Sequence, residues 1–230
     1  MKKLRILSFM VLAVMAFISC EDETNTYVNQ LYTNAQKIGA IKTCLNCSVD
    51  SAVSHLCVVD GFYAYKDAAY RIDFSRMQSS IFDTLANHNY GYLKDSLILR
   101  ANRLAESCGA NVSSSFKDAV TNLSIDNPDI IFYGESGTIT DYLKSTEYDN
   151  IRNALQAPVA IRMDLFNVST IWNEMLLLYR NYNPNPVTVD LQNQIVTSMM
   201  EGIFEEMRIE ERLIRTDSTH RVEGDSILGL

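Results

Sequence analysis

The stretch Val189-Asp-Leu-Gln-Asn-Gln-Ile-Val-Thr-Ser-Met-Met-Glu-Gly-Ile-Phe-Glu-Glu-Met-Arg-Ile-Glu-Glu-Arg-Leu-Ile-Arg-Thr-Asp-Ser-Thr-His-Arg221 decides the fold. Ile195, Val196, Met199, Met200, Ile203, Phe204, Met207 and Ile214 recur at steps of three and four, which puts them on one buried face of a helix. Glu210 and Glu211 fall on that same face at about 100° of rotation per residue. Carboxylates inside an apolar stripe need partners, because an unpaired buried charge is costly. Arg215, one turn after Glu211, and Arg221 beyond it are the nearest candidates.

Working outward, the helical period recurs along most of the chain. It predicts helices over 27–45 and 48–58, the second stopped by Asp60-Gly61, and further helices over 75–87 and 92–108, with Gly109 as the next stop. Residues 112–123 form another. Asp126 or Asn127 then caps a short helix that has Pro128 in its first turn. Residues 138–145, 148–156 and 158–182 read as a long helical run, bent or interrupted at Pro158. Asn181-Tyr-Asn-Pro-Asn-Pro186 breaks it, Asp190 caps the central helix, and 222–228 make a short final one. Only Phe62 to Phe74 differs. Tyr70, Ile72 and Phe74 alternate there around a turn at Lys66-Asp67, which predicts a small β-hairpin or extended flap near residues 62–74. The expected fold is all-α, a multi-helix bundle of about nine to ten helices with short connections.

Of the 230 residues 47% are hydrophobic, enough for one good-sized core or two small ones. The 28 acidic against 20 basic residues, a net charge of −8, argue against nucleic acid as a partner, because that affinity rests on a basic footprint. Three of the bases, Lys2, Lys3 and Arg5, precede an apolar run from Ile6 to Ile18 that is too short for a permanent transmembrane helix. The run ends Phe17-Ile-Ser-Cys20, which resembles a bacterial lipobox. That resemblance implies a signal peptide over 1–19, lipidation at Cys20 and a polar tether over 20–30. The membrane partner is then a lipid anchor, since several acyl chains hold firmly without a spanning helix. Glu21-Asp-Glu23 resembles the start of exported lipoproteins of some Bacteroidetes. The expected location is the cell envelope, at the outer membrane facing the periplasm or displayed at the surface.

Two groups of residues invite a chemical reading. Asn102 sits in the middle of the apolar face of its helix and Glu106 at the edge, beside Arg103. The structural expectation is that Asn102 and Glu106 pair with Arg215, Arg221 or backbone ends and lock two helices together. The chemical alternative is a cleft in which Glu106, Glu210 or Glu211 acts as acid or base, with Asn102 and Arg215 orienting a ligand. The second group is Cys44-Leu-Asn-Cys47 with Cys57 and His55. An oxidising compartment favours a disulfide from Cys44 or Cys47 to Cys57, or buried thiols, over a redox pair or a metal site. The chain has no phosphate loop, no dinucleotide fingerprint and no Gly-x-Ser-x-Gly, so no motif names a cofactor.

Several stretches together resemble a family of bacterial proteins of unknown function, DUF4197. They are Asp190-Leu191, Val196-Thr197, Gly202-Ile-Phe204, Glu210-Glu211, Ile214-Arg215 and Arg221, with Asn102-Arg-Leu-Ala-Glu106 and Asp60-Gly-Phe62 upstream. The resemblance covers about residues 31–230 and implies one helical domain, often lipid-anchored, with no catalytic residues established. The reading that follows is a lipid-anchored, non-catalytic helical binding or structural module. Its rivals are an envelope enzyme using Asn102, Glu106, Glu211 and Arg215, and a cysteine-based redox or metal protein.

Overall fold

A computed structural model describes residues 32–184 and 188–228, with the backbone alone at 75–79. Nine α-helices follow one another among these residues: α1 Asn34–Leu56, α2 Gly61–Ala68, α3 Ser75–Asn87, α4 Tyr92–Glu106, α5 Gly109–Asn122, α6 Pro128–Phe132, α7 Thr138–Leu165, α8 Val168–Arg180 and α9 Leu191–Thr216. A 3₁₀ turn, Ser218–His220, closes the order. The signal peptide, Cys20 and the tether expected over 1–30 lie outside the described residues.

Helix α9 is the axis, flanked by α1 and α7, with α5 packed against both of those flanking helices. Its stripe is buried throughout, from Ile195 to Ile214. Phe204 at its middle meets Phe116 of α5 at 5.0 Å between ring centroids and stacks on Tyr148 of α7 at 6.2 Å. Gly202 lets Phe62 of α2 approach the same helix, since a Cβ at that position would stand 3.0 Å from the Phe62 ring. Helices α3 and α4 pack on α8 at the far side of the bundle. Every buried core residue described lies between Ala40 and Leu228.

Local chemistry accounts for the helix starts that behave as expected. Thr33 and Gln36 form a reciprocal capping box on α1, the Gln36 side chain accepting the Thr33 N–H at 2.9 Å. The Asp190 carboxylate accepts the Asn193 N–H at 2.9 Å on α9, and Pro128 opens α6.

Four boundaries differ from the sequence reading. The first two expected helices are one, because no glycine or proline separates Leu45 from Ser48 and the stripe Ile41, Cys44, Leu45, Ser48, Val49, Ala52, Leu56 continues without a break. Helix α7 continues through Pro158 without interruption and stops at Phe166, after which Asn167 turns at φ 54°. One lost backbone hydrogen bond is outweighed by the buried face of Leu155, Val159 and Met163. Residues 222–228 form turns in place of a final helix.

The hairpin is the fourth. No strand is present among the described residues; α2 occupies 61–68, and the alternation beyond it is one of burial alone. Ile72 and Phe74 are buried while Arg71 and Asp73 are exposed, yet no second strand pairs with them. The side chain of Asn102 takes the place of a strand, accepting the Ile72 N–H and donating to the Ile72 carbonyl, both at 2.9 Å.

Candidate functional site

Helix α9 carries Glu211, fully buried, to the start of α7. The residue preceding that helix is Gly137, at φ 95° and with no side chain to cap it. Glu211 supplies the cap instead. Its Oε1 accepts the Ile139 N–H at 3.1 Å, and its Oε2 accepts the Thr140 N–H and hydroxyl, each at 2.8 Å. Arg215 donates from Nε to Glu211 at 3.0 Å and turns its two terminal nitrogens on the last carbonyls of α6, Phe132 at 3.0 Å and Ile131 at 3.1 Å. An acid at a helix start and a base at a helix end each complement the backbone charge there. Arg221 closes the end of α9 itself, donating to the carbonyls of Ile214 and Arg215. Glu210 points elsewhere, accepting from Ser51 of α1 and from His220, both at 2.9 Å. The hydrogen bond to Glu210 raises the pKa of His220 above its ordinary value.

Glu106 repeats the device in α4. Helix α2 starts after Asp60, at φ 66° and without a side-chain cap, and the Tyr63 N–H in its first turn donates to Glu106 at 3.1 Å. Arg103 spans Glu106 and Asp60, at 2.6 Å to each. Its hydrogen bonds to Glu106 and Asp60 outweigh burial and hold the guanidinium above its ordinary range. Asn102, also fully buried, adds a third bond, to the Ile98 carbonyl at 2.7 Å. Neither Asn102 nor Glu106 meets Arg215 or Arg221. The expected single lock is two: α4 holds the α2 segment, and α9 joins α6 to α7.

A third cluster was not read from the sequence. Glu206, buried on α9 between Ile203 and Met207, accepts from His55 Nδ1 at 2.9 Å, Lys66 Nζ at 2.8 Å and the Tyr70 hydroxyl at 2.6 Å. Tyr65 stacks between His55 and Tyr70, and Lys66 lies over both tyrosine rings. Lys66, Asp67 and Ala68 all have positive φ (49°, 56° and 66°), a strained run for residues with a Cβ that costs of order 1 kcal/mol each. That run aims Lys66 at Glu206. Burial alone would raise the Glu206 pKa; the bonds from Lys66, Tyr70 and His55 outweigh it and hold the carboxyl below its ordinary value. The signal was available, because Glu206 breaks the apolar stripe just as Glu211 does.

The cysteines do not bridge. Cys44 lies within α1 and Cys57 caps its end, so at about 1.5 Å per residue the helix holds them about 20 Å apart, far beyond the reach of about 7 Å for a disulfide. Cys47 to Cys57, at about 15 Å by the same rise, is no better. All four described cysteines are free thiols, and burial pushes Cys57 up to about 12. Among the described residues no group of three or more His, Cys, Asp or Glu is placed to hold a metal ion, and no helix is long and apolar enough to cross a membrane.

One cleft of about 820 Å³ opens where α1 turns into α2, against α4 and the end of α7. Its walls are mostly apolar: Cys57, Val58, Val59, Leu99 and Phe166, with Ser96, Arg100, Arg103, Glu106 and Ser107 supplying the polar edge. Of the acids and amide singled out from the sequence, only Glu106 reaches it. Both Glu106 oxygens are already engaged, by Tyr63 and by Arg103.

This is an all-α protein in which two buried carboxylates, Glu106 and Glu211, finish helices and an apolar cleft opens at the α1–α2 corner. The chain belongs to the DUF4197 family, described as "Protein of unknown function", whose profile matches residues 31–228. No curated protein and no solved structure matches it.

Proposed function

We propose that the protein is a lipid-anchored component of the cell envelope, at the outer membrane, and works as a non-catalytic binding module whose ligand surface is the cleft at the α1–α2 corner. The observation that carries this reading is the character of that cleft. Its volume falls within the range of about 300–1,000 Å³ usual for small-molecule sites, and its walls are apolar with a few polar groups at the edge. Proton transfer by Glu106, the one acid lining the cleft, would break the bonds that cap α2 and orient Arg103. The lipobox at Phe17–Cys20 supports the anchor.

The test uses the chain from Glu21 onward, which retains every described core residue. Titration with N-phenyl-1-naphthylamine, an uncharged apolar fluorophore, should give saturable enhancement that Val59→Asp abolishes. A bound ligand should be recovered chemically unchanged by mass spectrometry. No enhancement, or the same enhancement in Val59→Asp, refutes the cleft as the ligand surface; a converted ligand refutes the non-catalytic reading.

A further inference from the structure

We propose that the ligand of this cleft is a single-chain anionic amphiphile, a long-chain carboxylate whose head pairs with Arg100 while its tail lies along Val58, Val59 and Leu99. The inference rests on the reading of the cleft as a ligand surface and adds the chemistry of what fills it.

Arginines 100 and 103 both line the cleft and differ in one respect. Arg103 is bound by two carboxylates, Glu106 and Asp60. Arg100 donates to one neutral group, the Phe166 carbonyl at 3.3 Å, and has no acid partner among the described residues. A guanidinium offers five donors in a planar fork suited to a carboxylate. Arg100 therefore has unused donors at the edge of an apolar wall. Ser96, one turn earlier on the same face of α4, also lines the cleft and adds a hydroxyl.

The wall opposite is unusually bare. Val58 and Val59 are 50% and 77% exposed, adjacent in sequence, and Leu99 across the cleft is 39% exposed. An alkyl chain laid between them removes apolar surface from water at about 25 cal/mol per Å². Charge then selects the head. A cationic amphiphile meets Arg100 as a like charge; a neutral one covers the guanidinium without pairing it. A carboxylate does neither, and forms a charge-assisted pair with it.

The experiment displaces the same uncharged fluorophore with three chains of equal length, palmitate, hexadecanol and hexadecyltrimethylammonium, each below its solubility or micelle limit. Palmitate should displace at a concentration lower than hexadecanol by about tenfold, equivalent to one charge-assisted hydrogen bond, and the ammonium should be weakest. Arg100→Gln, read against its own fluorophore affinity, should bring palmitate level with hexadecanol, while Arg100→Lys retains a preference for the acid. Equal displacement by palmitate and hexadecanol in the parent overturns the proposal, as does an undiminished preference in Arg100→Gln. Either result leaves the cleft standing as a ligand surface, because the uncharged fluorophore still binds there. Failure of the fluorophore itself to bind removes the cleft, and the amphiphile with it.

Discussion

Glu211 caps the helix whose first turn contains Thr140: a single oxygen accepts both the backbone N–H and the hydroxyl of Thr140 at 2.8 Å, across 71 residues of sequence. The same carboxylate receives Arg215, which carries the connection on to the end of α6. Two side chains one turn apart thus finish two helices to which neither belongs.

Replacing Arg215 by alanine leaves a fully buried carboxylate without its counter-charge and takes a donor from each of two helix-end carbonyls, Phe132 and Ile131. The expected loss is about 3–5 kcal/mol, a large part of the 5–15 kcal/mol or so of a typical domain. Arg215→Lys should recover only a part, because one ammonium cannot reach Glu211 and both carbonyls in the fork geometry. Urea melts of the chain from Glu21 onward measure both; an unchanged midpoint for Arg215→Ala contradicts the arrangement.

Asn102→Ala should cost about 2–4 kcal/mol, since it strands the buried N–H and carbonyl of Ile72 together. Amide exchange at Ile72 should quicken even where the rest of the molecule stays protected. Asn102→Asp should be worse near neutrality than in acid, because an ionised carboxylate would face the carbonyls of Ile72 and Ile98 with no proton to share.

How far these sites could be read from sequence follows from what their partners are. The stripe from Ile195 to Ile214 is periodic, so its burial was legible, and Glu211 with Arg215 stood out at the spacing of one turn. Their other partners are backbone groups of Ile131, Phe132 and Ile139, which every sequence contains and no spacing marks. Alternation at Tyr70, Ile72 and Phe74 reported burial correctly, but burial says nothing of whether a strand or an asparagine supplies the hydrogen bonds. Cys44 and Cys57 seemed free to meet only because a break was placed after Leu45, where no residue stops a helix.

Glu206 predicts a pH response. Its carboxyl is held below the ordinary value in the folded chain, so its contribution to stability is complete above about pH 4.5 and is lost as pH falls through the folded pKa. Unfolding followed by circular dichroism between about pH 6 and pH 3 should fall more steeply for the parent than for Glu206→Gln. Parallel curves would show that Lys66, Tyr70 and His55 do not favour the ionised form.

Asp225 runs the opposite way. It is fully buried, and one of its oxygens accepts the Val222 N–H at 2.7 Å, with the Cys47 thiol beside the carboxyl. Burial pushes its carboxyl up, so the stability it contributes is present at low pH and lost as pH rises through the raised value. Asp225→Asn keeps an acceptor for Val222 and removes the charge. It should stabilise the chain more at pH 8 than at pH 4, read from urea midpoints at the two pH values.

Cys20→Ala should abolish incorporation of labelled fatty acid and move the protein out of the lipid-modified fraction. Mass spectrometry of the parent N-terminus should find an acylated Cys20; an unmodified residue there would falsify the lipobox.

Both borrowed N-terminal caps, Glu106 and Glu211, lie downstream of the helices they finish. Tyr63 leaves the ribosome 43 residues ahead of Glu106, and Ile139 leaves it 72 residues ahead of Glu211. At roughly 5–20 residues per second, the first turn of α7 therefore waits several seconds for its acid. Translation delivers the α9 segment last of the nine helices, so the fold cannot be locked in pieces from the N-terminal end. A chain ending before Glu211 would emerge with the start of its longest helix open.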